Sequence, residues 1–289
     1  MTDKIFEIDH LCCSYDKKFH EGLSRVVLEI EHIAIPRGKT VFIVGESGIG
    51  KSTILETLGM MNNTIVPNKK TSFYFCDTYG QETDLKTLWQ QGEKKLADFR
   101  LKHYSFIFQS TNLMKNFTAF ENIAFTRMLQ GYSSFSSKWR TRNVLAALGL
   151  DHVDELRMAQ ELSGGQQQRL AFARAILPEF TVLFGDEPTG NLDTENARRV
   201  MQILKEKLSE HEGATAIIVS HDMPLALQFA DVIIKISKRL RPKQHEEDED
   251  VSYGYIDDNC IYTQSSKDNW TNGTSNYGTA SFEAFLRQK

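Results

Sequence analysis

Nine consecutive residues, Gly45-Glu46-Ser47-Gly48-Ile49-Gly50-Lys51-Ser52-Thr53, fit the pattern G-x-x-x-x-G-K-[ST]. Glycines at such positions let a backbone curl so that its N–H groups point inward at phosphate oxygens. A lysine placed like Lys51 reaches the β- and γ-phosphates of a nucleotide, and a hydroxyl placed like that of Ser52 binds Mg²⁺. Two carboxylates, Asp186 and Glu187, close the apolar run Thr181-Val182-Leu183-Phe184-Gly185. Beside a phosphate loop, an acid at a strand end holds Mg²⁺ directly or through water. A second acid next to it can orient and deprotonate a water. Gln109 follows the apolar run Tyr104–Phe108, and His221 follows Ala214–Ser220. Either could be functional. An isolated glutamine there is more often just the first loop residue, and a lone histidine is usually structural. Tyr15, upstream of the loop, could stack on adenine or be an ordinary half-buried tyrosine.

These residues need elements to hold them. Thr40–Val44 is short, apolar and β-branched, the mark of a buried strand. Thr53–Gly59 carries apolar residues at helical spacing, so the phosphate loop lies between a strand and a helix. The first turn of that helix adds free N–H donors and the positive end of its dipole. Upstream, Lys4–Leu11 and Val26–His32 read as strands separated by polar turns. Thr71–Cys76 reads as another strand, Asp84–Lys102 as one helix, and Tyr104–Phe108 as a strand. Phe120–Leu129 and Lys138–Leu148 read as helices, with Gly149 stopping the second.

Leu162-Ser163-Gly164-Gly165-Gln166 precedes a helix over Gln166–Leu177. Ser163 is a good N-cap and the paired glycines allow close backbone approach. Taken alone, the stretch is either an anion-binding helix N-terminus or a capped helix with a flexible entry. A helix from Thr194 to about Leu208 follows Pro188-Thr189-Gly190-Asn191-Leu192-Asp193, and Val232–Ile236 is the last clear core strand.

The chain has 289 residues and a net charge of −4, with pI ≈ 6.1. That balance argues against nucleic acid as a partner, since such domains are usually strongly basic. No run approaches the roughly 18 apolar residues that a membrane-spanning helix needs. Residues 1–7 lack the apolar core of a signal peptide. Cys12, Cys13, Cys76 and Cys260 form no C-x-x-C pair, so reduced thiols are expected. From residue 237 the character changes: a basic segment, the acidic block Glu246–Asp250, then a polar stretch over Ser265–Thr279. This composition predicts a solvated or disordered extension over 237–289, dispensable for catalysis. One strand within it, Tyr255–Tyr262, is expected to form a hairpin with Val232–Ile236.

Together these residues resemble the nucleotide-binding subunit of an ABC transporter over about residues 5–236. The most specific element is Leu162-Ser163-Gly164-Gly165-Gln166, which is similar to the family's signature and lies between the phosphate loop and the acidic strand end. The resemblance implies an α/β P-loop NTPase (RecA-like) core with an antiparallel β subdomain and an α-helical signature subdomain at about 110–165. It assigns Tyr15 to the A-loop, Gln109 to the Q-loop, Asp186 and Glu187 to Walker B, Asp193 to the D-loop and His221 to the H-loop. Glu187-Pro188-Thr189-Gly190-Asn191-Leu192-Asp193 resembles the E-P-T-G-N-L-D of the LolD/MacB/FtsE group. So do Phe106-Ile107-Phe108-Gln109, Thr118-Ala119-Phe120-Glu121-Asn122-Ile123 and the long loop after Tyr15. The chain departs from that group in lacking its proline after Leu113 and in the acidic insertion before Gly254.

What the resemblance implies is ATP hydrolysis with Mg²⁺. Ser52, Gln109 and Asp186 would hold the metal, Glu187 would act as general base, and His221 would hold the γ-phosphate and the water. It further implies a head-to-tail homodimer or paired ATPase subunit. Ser163, Gly164, Gly165 and Gln166 of one copy would then face the phosphate loop of the other. A separate transmembrane permease is expected, with this chain peripheral on the cytoplasmic face of the membrane. The work would be lipoprotein release, peptide or drug export, or signalling to cell-wall enzymes. The alternative is a soluble ATPase of the same type acting on a macromolecular complex.

Overall fold

The computed structural model describes residues 3–16, 26–150, 156–211, 213–241, 252–266 and 268–288. The acidic block and most of the long loop after Tyr15 lie outside the described residues. In chain order the N-terminal half gives β1 (Lys4–Cys13), β2 (Leu28–Pro36), β3 (Thr40–Val44), α1 (Lys51–Leu58), β4 (Ser72–Cys76) and β5 (Glu82–Asp84). Then come α2 (Leu85–Gln90), α3 (Glu93–His103), β6 (Tyr104–Ile107), α4 (Ala119–Leu129) and α5 (Ser134–Ala147). The C-terminal half gives α6 (Gly164–Ile176), β7 (Val182–Asp186), α7 (Thr194–Glu210), β8 (Thr215–Val219), α8 (Met223–Phe229) and β9 (Val232–Lys235). It ends in β10 (Ser237–Leu240), β11 (Ser252–Ile256), β12 (Ile261–Ser266), β13 (Asn269–Thr271), β14 (Asn276–Gly278) and α9 (Thr279–Arg287).

Two sheets organise these elements. One runs β14-β13-β12-β9-β3-β8-β7-β6, and its β9-β3-β8-β7-β6 part is parallel. Parallel strands need cover on both faces, which is why β3 and β8 are wholly buried and apolar but for the threonine that opens each. Alternate residues of β3 serve opposite cores. Phe42 and Val44 join the core shared with α6, α7 and α8, while Val41 and Ile43 join the one shared with α1 and the second sheet. That second sheet runs β10-β11-β2-β1-β4-β5. The fold is therefore the expected α/β one, with a sheet that is antiparallel except at its β11–β2 pair packed against a mostly parallel one. Helix α7 buries Ala197, Val200, Met201 and Leu204, one stripe at helical spacing.

The expected Asp84–Lys102 helix is two helices. Asp84 caps α2 by accepting from Lys86 N and Thr87 N, and Gly92 breaks the run at φ +89°. Gly149 stops α5 as expected: at φ +66° it lets Leu150 N donate back to Leu145 O at 2.8 Å. Helix α8 has no counterpart in the sequence reading, although its cap, Asp222, and its early proline were visible.

The larger correction concerns residues 237–288. The expected strand Tyr255–Tyr262 is split by Asp257–Cys260 into two strands of different sheets. Strand β11 pairs with β10 and β2, and β12 pairs with β9. The polar stretch beyond is ordered too. Strands β13 and β14 extend the sheet and α9 packs over them. A few aromatic residues provide the apolar surface that the composition hides. Trp270 and Phe282 are fully buried and stacked, with centroids 5.2 Å apart at 21°. Replacing Trp270 by Ala should cost about 3–5 kcal/mol, as for other buried aromatics. A clear drop in the urea midpoint is the expected result, and an unchanged midpoint would restore the picture of a solvated tail.

Candidate nucleotide site

The functional side chains converge because the parallel strands end together. Gly45 follows β3, Gln109 lies just beyond β6, Asp186 ends β7 and His221 follows β8. The last three open onto a cleft of about 420 Å³ that is also lined by Tyr15, Gly48, Lys51 and Ser52. Ligands of open α/β sheets bind at this carboxyl edge of the strands.

The phosphate loop is shaped by its glycines. Gly50 adopts φ +104° at the start of α1, and a Cβ there would come within 3.3 Å of Leu28. No side chain caps α1, so its first N–H groups stay free for a ligand. Lys51 is buried, and its Nζ donates to the carbonyls of Gly45 at 2.9 Å and Glu46 at 2.6 Å. Burial pushes its amine below the ordinary range, against the opposing pull of Glu187 and Asp186. Tyr15 stands at the rim, its hydroxyl 3.1 Å from Thr53 Oγ1 and 3.2 Å from Glu56 Oε2.

Ser52 Oγ donates to Asp186 Oδ2 at 3.4 Å. Burial raises the pKa of Asp186, and the charge of Glu187 raises it further. A divalent cation would relieve both, and a hydroxyl, a carboxylate and an amide oxygen are the hard donors that Mg²⁺ takes. Among the described residues, no group of three or more His, Cys, Asp and Glu could hold a metal by itself. Mg²⁺ relies on few protein ligands, on water and on substrate phosphates.

Glu187 has a left-handed backbone, φ +48°, which is uncommon outside glycine. Its N–H donates to Val219 O at 3.0 Å and its carbonyl accepts from Gly190 N at 3.1 Å. These bonds hold the strained turn, and strain of this kind gathers at functional sites. Its carboxylate is bracketed: His221 Nε2 lies 2.7 Å from Oε1, and Gln109 Nε2 donates to Oε2 at 3.4 Å.

The signature residues lie elsewhere. Ser163 caps α6 by accepting from Gln166 N at 3.3 Å, and Gln166 Oε1 accepts from Ser163 N at 2.9 Å. Ser163 and Gly164 are exposed, Gly165 and Gln166 partly so, and none of the four lines the cleft. Asp193 also lies off the cleft. It caps α7 through Asn196 N at 2.9 Å, and its hydrogen bonds to Asn196 lower its pKa.

Three positioning residues escape a reading based on motifs. Buried Gln168 of α6 donates to Pro188 O at 2.9 Å, tying the signature helix to the turn after Glu187. Arg174 donates to the carbonyls of Thr111 and Asn112, tying the same helix to the segment after Gln109. Asn122 is fully buried and donates to three carbonyls of the loop before α4 while accepting from Met114 N. Their signal in the sequence was a polar residue on an otherwise apolar helix face.

A free helix N-terminus after a glycine loop, with two acids at a neighbouring strand end, defines a P-loop nucleotide-binding protein. The profile of the ABC transporter family matches residues 28–190. The lipoprotein-releasing system ATP-binding protein LolD of Idiomarina loihiensis is 36% identical over 233 residues, covering 80% of this chain and 94% of LolD. The macrolide export ATP-binding/permease protein MacB of Shewanella sp. (strain W3-18-1) is 40% identical over 211 residues, but these are 30% of that longer protein. The dimeric ABC transporter cassette MJ0796 superposes with a TM-score of 0.66 at 28% identity, over 80% of this chain and 93% of MJ0796. The chain belongs to the ABC transporter family, among ATP-binding subunits of the LolD and MacB group.

Proposed function

We propose that this chain hydrolyses ATP with Mg²⁺ as one half of a head-to-tail dimer and so drives a separate membrane subunit. The observation that carries the reading is the bracketing of Glu187 by His221 and Gln109 beside the phosphate loop. Gly48, Gly50 and Lys51 would bind the phosphates, and Tyr15 would border the base. Ser52, Asp186 and Gln109 would hold Mg²⁺, which supplies charge neutralisation at the phosphates. Glu187 would accept a proton from the attacking water while His221 fixes its orientation. The exposed N-terminus of α6 would complete the site of the other copy. A helix N-terminus draws an anion, and the γ-phosphate is an anion that hydrolysis removes.

Among the described residues no helix is long and apolar enough to cross a membrane. An apolar groove of about 360 Å³ runs between β6 and α4, lined by Phe106, Phe125 and Leu129 among others. Leu129 is 53% exposed, and an open apolar patch of this kind marks a contact surface. Phe106 stacks on both Phe108 and Phe184, so a partner seated there would bear on the strand that leads to Gln109. Placement at the cytoplasmic face of the membrane follows from such a partner. Pull-down from detergent-solubilised membranes should recover that subunit, and recovery of a soluble complex instead would reverse the reading.

Ser163→Arg tests the dimer. The bulky side chain lies outside the cleft, so ATP binding to a single copy should stay within about twofold. Hydrolysis should fall by about 100-fold or more, since closure is blocked, a barrier increase of about 2.7 kcal/mol. An unchanged turnover would rule out the composite site.

A further inference from the structure

We propose that the β10–β11 hairpin is a working part of the nucleotide site: Gly254 seats the backbone of the phosphate loop, and Lys238 cancels the charge of Glu46 within it. The inference rests on the reading that this loop binds ATP.

The first half follows from a close approach. Gly254 N donates to Val27 O at 2.9 Å, which fixes β11 beside β2 and the loop. A Cβ on Gly254 would collide with the carbonyl oxygen of Ile49, in the middle of the phosphate loop. It would also come within 2.9 Å of Ile236 and 3.0 Å of Leu28. The main obstacle is backbone, which cannot rotate away. Glycine is therefore required here for the space it leaves, and the Ile49 peptide rests directly on β11. Any residue with a side chain would displace the loop whose N–H groups must face phosphate.

The second half is electrostatic. Glu46 places a carboxylate inside a loop built to receive anions. Lys238 Nζ lies 3.2 Å from its Oε2. Both side chains are partly exposed, so the pair adds little to folding. Its effect is on the ligand: the Glu46 side chain does not itself line the cleft, so without Lys238 an uncompensated negative charge would act through space from behind the phosphate loop. The carbonyl of the same Glu46 holds Lys51 Nζ at 2.6 Å, so a shift of Glu46 also moves the anchor of the phosphate-binding lysine.

The test uses the full chain and titrates a fluorescent ATP analogue into wild type, Lys238→Ala, Lys238→Arg, Gly254→Ala and the pair Glu46→Gln and Glu46→Gln/Lys238→Ala. Lys238→Ala should weaken binding by about 3–10-fold at low salt, less at high salt, and Lys238→Arg should restore it. Within the Glu46→Gln background the same substitution should cost less than about twofold, because the charge to be cancelled is gone. Gly254→Ala should weaken binding by about tenfold or more, with far-ultraviolet circular dichroism unchanged. Should Gly254→Ala fail to fold, the lysine series decides. Equal binding by Lys238→Ala and wild type overturns the inference, as does an equal loss in the Glu46→Gln background. A wild-type chain that binds no ATP overturns the functional reading itself and this inference with it.

Discussion

Glu187→Gln should accumulate as an ATP-bound dimer that does not turn over. The substitution keeps the size of the side chain and leaves hydrogen-bonding groups within reach of His221 and Gln109, which lie 2.7 Å and 3.4 Å from the present carboxylate. What it removes is basicity, and general-base help is typically worth 10²–10⁴ in rate. That is about 3–5 kcal/mol of barrier. Lys51, Ser52 and Asp186 are untouched, so ATP and Mg²⁺ should still bind. Size-exclusion chromatography should show the dimer with ATP and the monomer with ADP. Asp186→Asn should differ, because Asp186 is the acid in contact with Ser52. It should lose Mg²⁺, and with it both hydrolysis and stable closure. The division of labour between the two acids fails if Glu187→Gln hydrolyses ATP within about threefold of wild type, a difference of only ~0.7 kcal/mol. It also fails if Asp186→Asn is the variant that traps the dimer.

Lys51→Ala should weaken ATP binding itself. Among the described residues lining the cleft, Lys51 is the one lysine or arginine. A hydrogen bond to a charged group contributes about 1.5–3 kcal/mol, which is roughly 10–150-fold in affinity. The fold should tolerate the change, because the Gly45 and Glu46 carbonyls that Lys51 now satisfies lie beside an open cleft that admits water. Calorimetric titration should therefore show a large rise in Kd with little change in the unfolding midpoint. Equal affinity in mutant and wild type would remove Lys51 from the site.

The parallel core and its cleft were legible because their determinants are local. A β-branched run such as Thr40–Val44 can be little other than a buried strand, and the residue that follows such a run must stand at the sheet's edge. Gln109, Asp186 and His221 are all of this kind. The bracketing of Glu187 was not legible, because it depends on a backbone turned to φ +48° between β7 and Pro188. The segment after residue 236 misled for a different reason. Its Ser, Asn, Thr and Gly content is that of a solvated chain, yet Tyr277 and Phe282 pack against Tyr262 and each other, and Trp270 stacks on Phe282, across turns too short for any periodicity. Strands β13 and β14 have three residues each, fewer than alternation needs to show. Gly254 looked like one more turn residue, since nothing nearby in sequence reveals that Ile49 lies against it.

The pairing of β12 with β9 has a practical consequence. Strand β9 carries Val232, Ile233 and Ile234, and its free side is covered by Ile261, Tyr262 and Thr263. A fragment ending at Ile236, where the family resemblance fades, would leave that hydrophobic edge with open N–H and C=O groups. Such an edge recruits strands from other molecules. Fragments of this kind should therefore precipitate or form soluble aggregates on expression. Poor behaviour of a minimal cassette would then report an unprotected sheet edge rather than a defect in the nucleotide cleft.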